Sequence, residues 1–157
     1  INLGQPGATT RDGLLRMEEA LARQPVLALV EFGANDLIQG IAVEEARANL
    51  EQMIARFHAA GVAVVLLSFV HPDMIDKAPA GHRLIGQAED AQIYYAMLVD
   101  LAEAHDLPIV EYLFEGIWWK REFMFDSLHP NGLGYVRMED NIHRGLREFL
   151  AANQMLK

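Results

Sequence analysis

Val62-Ala63-Val64-Val65-Leu66-Leu67 is an unbroken apolar run of strand length, with no polar residue on either alternating face. A strand with one solvated face alternates in polarity, so a continuous run marks one buried on both sides. Val26-Leu27-Ala28-Leu29-Val30 upstream has the same character, and Leu107-Pro108-Ile109-Val110 downstream is a shorter version with proline tolerated at its start. Helical patterns separate the three runs. Thr9 or Thr10 is placed to cap a helix to about Arg23, carrying Leu14, Leu15, Met17 and Leu21. Ala46, Leu50, Met53, Ile54 and Phe57 line one face of a helix from Val43 to Ala60, with Gly61 as its stop. Gln87 to His105 carries Ile93, Met97, Leu98 and Leu101 at helical spacing. The last helix, Gly132 to Ala152, is expected to bury Tyr135, Met138, Ile142, Leu146, Phe149 and Leu150. Strands alternating with helices predict an α/β domain whose parallel sheet is covered on both faces. Gly33–Gly40 and Val70–Gly86 read as loops, Ile1–Leu3 as the end of a short strand, and Glu111–Phe125 is ambiguous.

The chain of 157 residues is long enough for one domain with a sizeable core, and it shows no repeat, low-complexity tract or linker. A formal net charge of −9 disfavours a nucleic-acid partner and an anionic membrane surface. No apolar run approaches the ~20 residues of a membrane helix, so no integral membrane segment is expected. The absence of cysteine excludes disulfides, thiolate catalysis and Cys-ligated metals, without identifying a compartment. The histidines show no i,i+4 pair with a third ligand that suggests zinc, and Gly4–Thr10 lacks the ending of a phosphate-binding loop. No cofactor or metal is expected.

In open α/β sheets the chemistry gathers beyond the carboxyl ends of the strands. Three stretches there carry suggestive residues. Asp126-Ser127-Leu128-His129-Pro130 sets a carboxylate three residues ahead of an imidazole. A carboxylate bonded to one ring nitrogen fixes the tautomer and leaves the other nitrogen to take a proton from a nucleophile. Gly4-Gln5-Pro6-Gly7 and Gly33-Ala34-Asn35-Asp36 offer an approachable backbone amide and a side-chain amide, the two donors of an oxyanion hole. Singly, each has a plainer reading: a solvated turn, a glycine with an unusual dihedral, an Asx turn. Their occurrence in order, each at a strand end, favours chemistry. His71-Pro72-Asp73 reverses the catalytic order and reads as a loop near the cleft, while His58, His82, His105 and His143 read as surface or satisfied polar residues. Phe69, Val70, Met74, Ile75, Ile117, Trp118 and Trp119 are candidates for an acyl-accepting wall, with core packing the competing assignment.

With these blocks in place, the chain resembles the SGNH (GDSL-type) serine hydrolases over essentially its whole length. It is most similar to the bacterial branch of acyl-CoA thioesterases, arylesterases and lysophospholipases. The anchors are Asn2–Thr10, the G-x-N-D of Gly33–Asp36 and the D-x-x-H-P of Asp126–Pro130, supported by Glu115–Asn131. The resemblance implies a three-layer α/β/α, flavodoxin-like sheet acting on a small ester or thioester, in the bacterial cytoplasm or periplasm. It implies that His129 is the general base, Asp126 its orienting carboxylate, Gly7 (backbone N–H) and Asn35 (side chain) the oxyanion donors, and Asp36 the support of the Asn35 loop. Phe69, Val70 and Trp118 would line the substrate.

One departure stands out. The family's opening Gly-Asp-Ser block is absent, and the two serines, Ser68 and Ser127, lie outside any glycine-flanked elbow. Ser127 would have to reach an imidazole only two residues away. The family also places its first strand between the second and third, so that this chain begins at the second. Roughly 30–40 preceding residues, bearing that central strand and the serine, are therefore expected in the working protein, in the same chain or from another. The competing expectations are a catalytically incomplete remnant of the fold and a carbohydrate O-deacetylase.

Overall fold

The computed structural model describes residues 1–78 and 86–152, so His82 lies outside the described residues. Its organising element is β2 (Ala63–Leu67), paired in parallel on both sides. β1 (Leu27–Val30) aligns Leu27 with Ala63 and Val30 with Leu66, and β3 (Ile109–Val110) aligns with Leu66 and Leu67. Among the described residues the sheet order is β1-β2-β3.

The two-residue period of a strand divides β2 between two cores. Val64 and Leu66 point into a large cluster with Leu50, Ile54, Leu98 and Leu101, while Val65 and Leu67 join Val110, Leu113 and Leu146 on the opposite face. The first core is built by α1 (Thr10–Leu15), α2 (Met17–Leu21), α4 (Val43–Ala59) and α6 (Ala88–Ala104); the second lies under α7 (Gly132–Ala152). This is the expected parallel sheet between helical layers. The face of α4 is the one its periodicity predicts, with Ala46, Leu50, Met53, Ile54 and Phe57 buried.

Several expectations need correction. The expected helix to Arg23 breaks at Arg16 (φ −98°, ψ 9°), whose guanidinium is drawn to the Leu3 carbonyl (2.8 Å) and Glu19 (2.9 Å). The expected loop Gly33–Gly40 contains helix α3 (Ala34–Gln39), made possible by glycines with positive φ at both ends, 109° and 68°. Pro72–Ile75 forms a one-turn helix, α5, and Arg121–Phe123 a 3₁₀ turn. Ile1–Leu3 forms no strand, and Ile1 is 94% exposed. Tyr135 and Ile93 are exposed: α7 and α6 turn other faces to the sheet, the latter through Tyr94, Met97, Leu98 and Leu101. Finally, β1 is not buried on both faces. Ala28 and Val30 pack into the larger core, but Leu29 is 45% exposed beside an edge that no described strand pairs.

Candidate active site

The first half of the site grows from the carboxyl end of β1. Gly33 turns the chain into α3 with φ 109°, and a Cβ there would sit 2.9 Å from the Phe69 ring, so glycine is required on two counts. The turn delivers Asn35 and Asp36 into the first turn of α3. Asp36 is fully buried. Its carboxylate accepts the Thr10 backbone N–H (3.0 and 3.1 Å) and the Thr10 hydroxyl (2.5 Å); that hydroxyl in turn accepts from Asn49 Nδ2 of α4 at 3.1 Å. Thr9 caps α1 in a reciprocal box with Asp12. Asp36 thus joins the starts of α1 and α3 to α4, and the loop between Leu3 and Thr9 must follow.

That loop is where Gly7 sits, with φ 80°. Asn35 Nδ2 donates to the Ala8 carbonyl at 2.9 Å, and Gln39 Nε2 to the Gly7 carbonyl at 3.3 Å. The Ala8 contact uses one of the two Asn35 amide hydrogens and fixes the direction of the other. Gly7 and Asn35 are therefore neighbours held in one frame, with Asp36 as the buried anchor.

The second half is Asp126–His129. Oδ1 of Asp126 accepts the backbone N–H groups of Leu128 (2.7 Å) and His129 (2.8 Å), and Oδ2 lies 2.8 Å from His129 Nδ1. The Leu128 N–H, then the imidazole and the His129 N–H, hold the Asp126 carboxyl down to about 2. The acid is thus ionised at neutral pH, and because the contact uses Nδ1, Nε2 is not engaged by it; the His129 side chain is 68% exposed. Around it, the Phe125 N–H bonds the His129 carbonyl (2.8 Å) and Met124 pairs with Pro130, closing a tight hairpin-like loop. Asn131 fastens that loop to α7: its Oδ1 accepts from Leu133 and Gly134 N–H at 3.0 and 3.1 Å, and its Nδ2 donates to the Glu122 carbonyl at 2.9 Å.

The structure thus assembles the candidate residues as two pairs, Gly7 with Asn35 and Asp126 with His129. Phe69 and Val70 lie in the core, 6% and 1% exposed, with Phe69 edge-on to Tyr94; Trp118 is 8% exposed behind the Asp126–His129 loop. Ser68 is 1% exposed and its hydroxyl donates to the Val70 carbonyl, so it is engaged within the core. His71 caps α5 by accepting the Asp73 N–H and stacks on Tyr112. Sequence reasoning overlooked Thr10 and Asn49 as partners of Asp36, and Asn131 as a cap. The asparagine after His129-Pro130 was the available signal for the cap.

The fold and these loops define an α/β protein of the SGNH-hydrolase type. A solved structure of TesA superposes with a TM-score of 0.72 at 27% identity, covering 90% of this chain and 74% of that one. The psychrotrophic esterase EstA from Pseudoalteromonas, at 23% identity, shares the fold with a TM-score of 0.79 over 96% of this chain and 78% of its own. The chain belongs to the GDSL-like Lipase/Acylhydrolase family, whose model matches residues 1–137. Within it, the chain is similar to an arylesterase of Vibrio mimicus, 30% identical over 83% of this chain and 60% of the relative. It is also 28% identical to the esterase TesA of Pseudomonas aeruginosa, over 96% of this chain and 70% of that protein. The chain spans about 60% of the length of the Vibrio relative and of thioesterase 1/protease 1/lysophospholipase L1 of Escherichia coli K12.

Proposed function

We propose that the working protein is a serine hydrolase of carboxylic esters or thioesters, with residues 1–157 supplying everything but the nucleophile. The observation that carries this reading is the Asp126–His129 pair, with Nδ1 engaged by an ionised carboxylate on an exposed ring. In the proposed cycle His129 Nε2 takes the proton of a serine hydroxyl and the alkoxide attacks the carbonyl carbon. The Gly7 N–H and the second Asn35 amide hydrogen receive the oxyanion. The imidazolium then protonates the leaving alcohol or thiol, and water, activated by the same ring, releases the acid. We assign the serine to a strand that pairs along the open edge of β1, where Leu29 and Val26 leave apolar surface exposed.

Fluorophosphonate labelling of the full-length source protein tests this. A labelled serine outside residues 1–157, with labelling lost in His129→Ala, is the expected result; an intact protein that takes no label is a remnant of the fold. The remnant reading has its own support in Ser68, which is buried and bonded away from any site. Chain-length series of acyl esters against acetylated sugars would separate a lipolytic enzyme from a carbohydrate O-deacetylase. For the oxyanion assignment, Asn35→Ala should lower kcat by about 10²–10³. It should do so with little loss of stability, because the Asn35 amide is bonded to a partly buried carbonyl, that of Ala8; a stability loss that matches the kinetic one would make Asn35 a loop brace instead.

A further inference from the structure

Two adjacent tryptophans lie beneath the Asp126–His129 loop. Trp119 has φ 68°, a left-handed conformation that a bulky side chain adopts only where its surroundings over-determine it. Its indole Nε1 donates to the Met74 carbonyl at 3.1 Å, 45 residues away in α5. Backbone N–H groups of Asp76 and Ala78 take the Pro72 and Ile75 carbonyls of that single turn, and Trp119 supplies the donor to the Met74 carbonyl. Trp118, with its ring stacked on Phe114 (4.8 Å between centroids, 24° between planes), donates elsewhere: its Nε1 reaches the Leu128 carbonyl at 3.3 Å. The two indoles are themselves in contact, 5.4 Å between centroids.

The Leu128 carbonyl belongs to the same planar peptide unit as the His129 N–H. That N–H is held by Asp126 Oδ1 at 2.8 Å, and the carbonyl by Trp118. The unit is therefore gripped at both edges, and its orientation sets the direction in which the His129 side chain leaves the backbone. Asp126 and His129 are both exposed, so water competes for every bond they make. Trp118, at 8% exposure, is a buried group bonded directly to the loop. We infer that Trp118 is a positioning residue for His129, aiming the imidazole through the Leu128 carbonyl, with Trp119 as the strut that ties it to α5. Its meaning for catalysis rests on the hydrolase reading; the physical link does not.

The test replaces Trp118 with 3-benzothienyl-alanine, which keeps shape and stacking but has sulfur in place of the N–H donor. Trp118→Phe serves as a second variant. With ¹⁵N-labelled histidine, the Nδ1–H proton of His129 is followed by NMR. Loss of the indole donor should speed its exchange with water about tenfold, the factor that one ordinary hydrogen bond supports, with the thermal midpoint nearly unchanged. An unaltered His129 signal in both variants overturns the inference. In the fluorophosphonate-reactive protein the same replacement should lower kcat and leave KM in place; a change confined to KM would make Trp118 part of the substrate wall and also overturn it. Should the protein take no fluorophosphonate while the His129 signal still responds, the positioning contact stands and the hydrolase reading falls.

Discussion

Asp36 and Asp126 do the same job in opposite surroundings. Each carboxylate receives a backbone N–H and a side-chain donor and thereby orients a neighbour that the proposed chemistry needs. Asp36 is wholly buried and its partner Thr10 lies 26 residues away; Asp126 is exposed and its partners lie two and three residues ahead. The first is a fastening between helices, and the second is a property of one loop. A site built this way has a stiff half, whose geometry is inherited from the fold, and a local half, whose geometry must be maintained against water. Asp36 should therefore matter to folding and Asp126 to the loop alone.

The largest effect tests the stiff half. Asp36→Ala strands the N–H and hydroxyl of Thr10 in the interior, which should cost about 3 kcal/mol. That corresponds to roughly 10 °C in the thermal midpoint for a chain of this size, read by urea and heat denaturation. Asp36→Asn keeps one acceptor oxygen and should lose less. A loss under about 1 kcal/mol for Asp36→Ala would show that α1, α3 and α4 hold together by apolar contact, and the contrast between the two aspartates would vanish. Asn131 comes next, because it is where the local half is fastened to the fold. Asn131→Ala removes the cap of α7 and the link to the Glu122 carbonyl, at an expected cost of about 1.5 kcal/mol. Asn131→Asp keeps the capping oxygen but not the link, so it should recover the larger part; if it recovers nothing, the Glu122 contact and not the cap is what secures the loop.

The same contrast explains what could be read from sequence. Asp126 and His129 were legible because all the partners of the carboxylate lie within three residues, so spacing alone implies the contact. The buried stripe of α4 and the two-sided burial of β2 were legible for a related reason: periodicity is a local property that packing respects. Thr10–Asp36–Asn49 was hidden, since three polar residues spread over 39 positions have no periodic signature. The α3 turn was missed because six residues between glycines look like a loop until those glycines are seen to terminate a helix. β1 misled in the other direction. Its composition matches that of β2, but burial depends on which elements cover it, and among the described residues α7 centres on β3 and leaves Leu29 bare.

The smallest expected effect is the one most specific to the local half. Asp126 titrates at about 2 in the folded protein, against ~3.9 for an unconstrained aspartate. A depressed folded value means that the stabilisation is complete above the unfolded value, near pH 4, and is lost as the pH falls toward 2. Asp12, lowered chiefly by the Thr9 backbone N–H and then its hydroxyl, acts in the same direction. Thermal midpoints of the native protein should therefore decline between pH 4 and pH 2, and Asp126→Asn should decline less steeply there while keeping the same slope above pH 5. The difference will be small, because an exposed carboxylate exchanges protein donors for water at little net gain. Its value lies in its address. Asp36, buried in another network, cannot reproduce a change that appears only when residue 126 is altered, so matched slopes for the two proteins below pH 4 would mean that the loop's hydrogen bonds do not persist in water, and that the imidazole is left without its orienting acid.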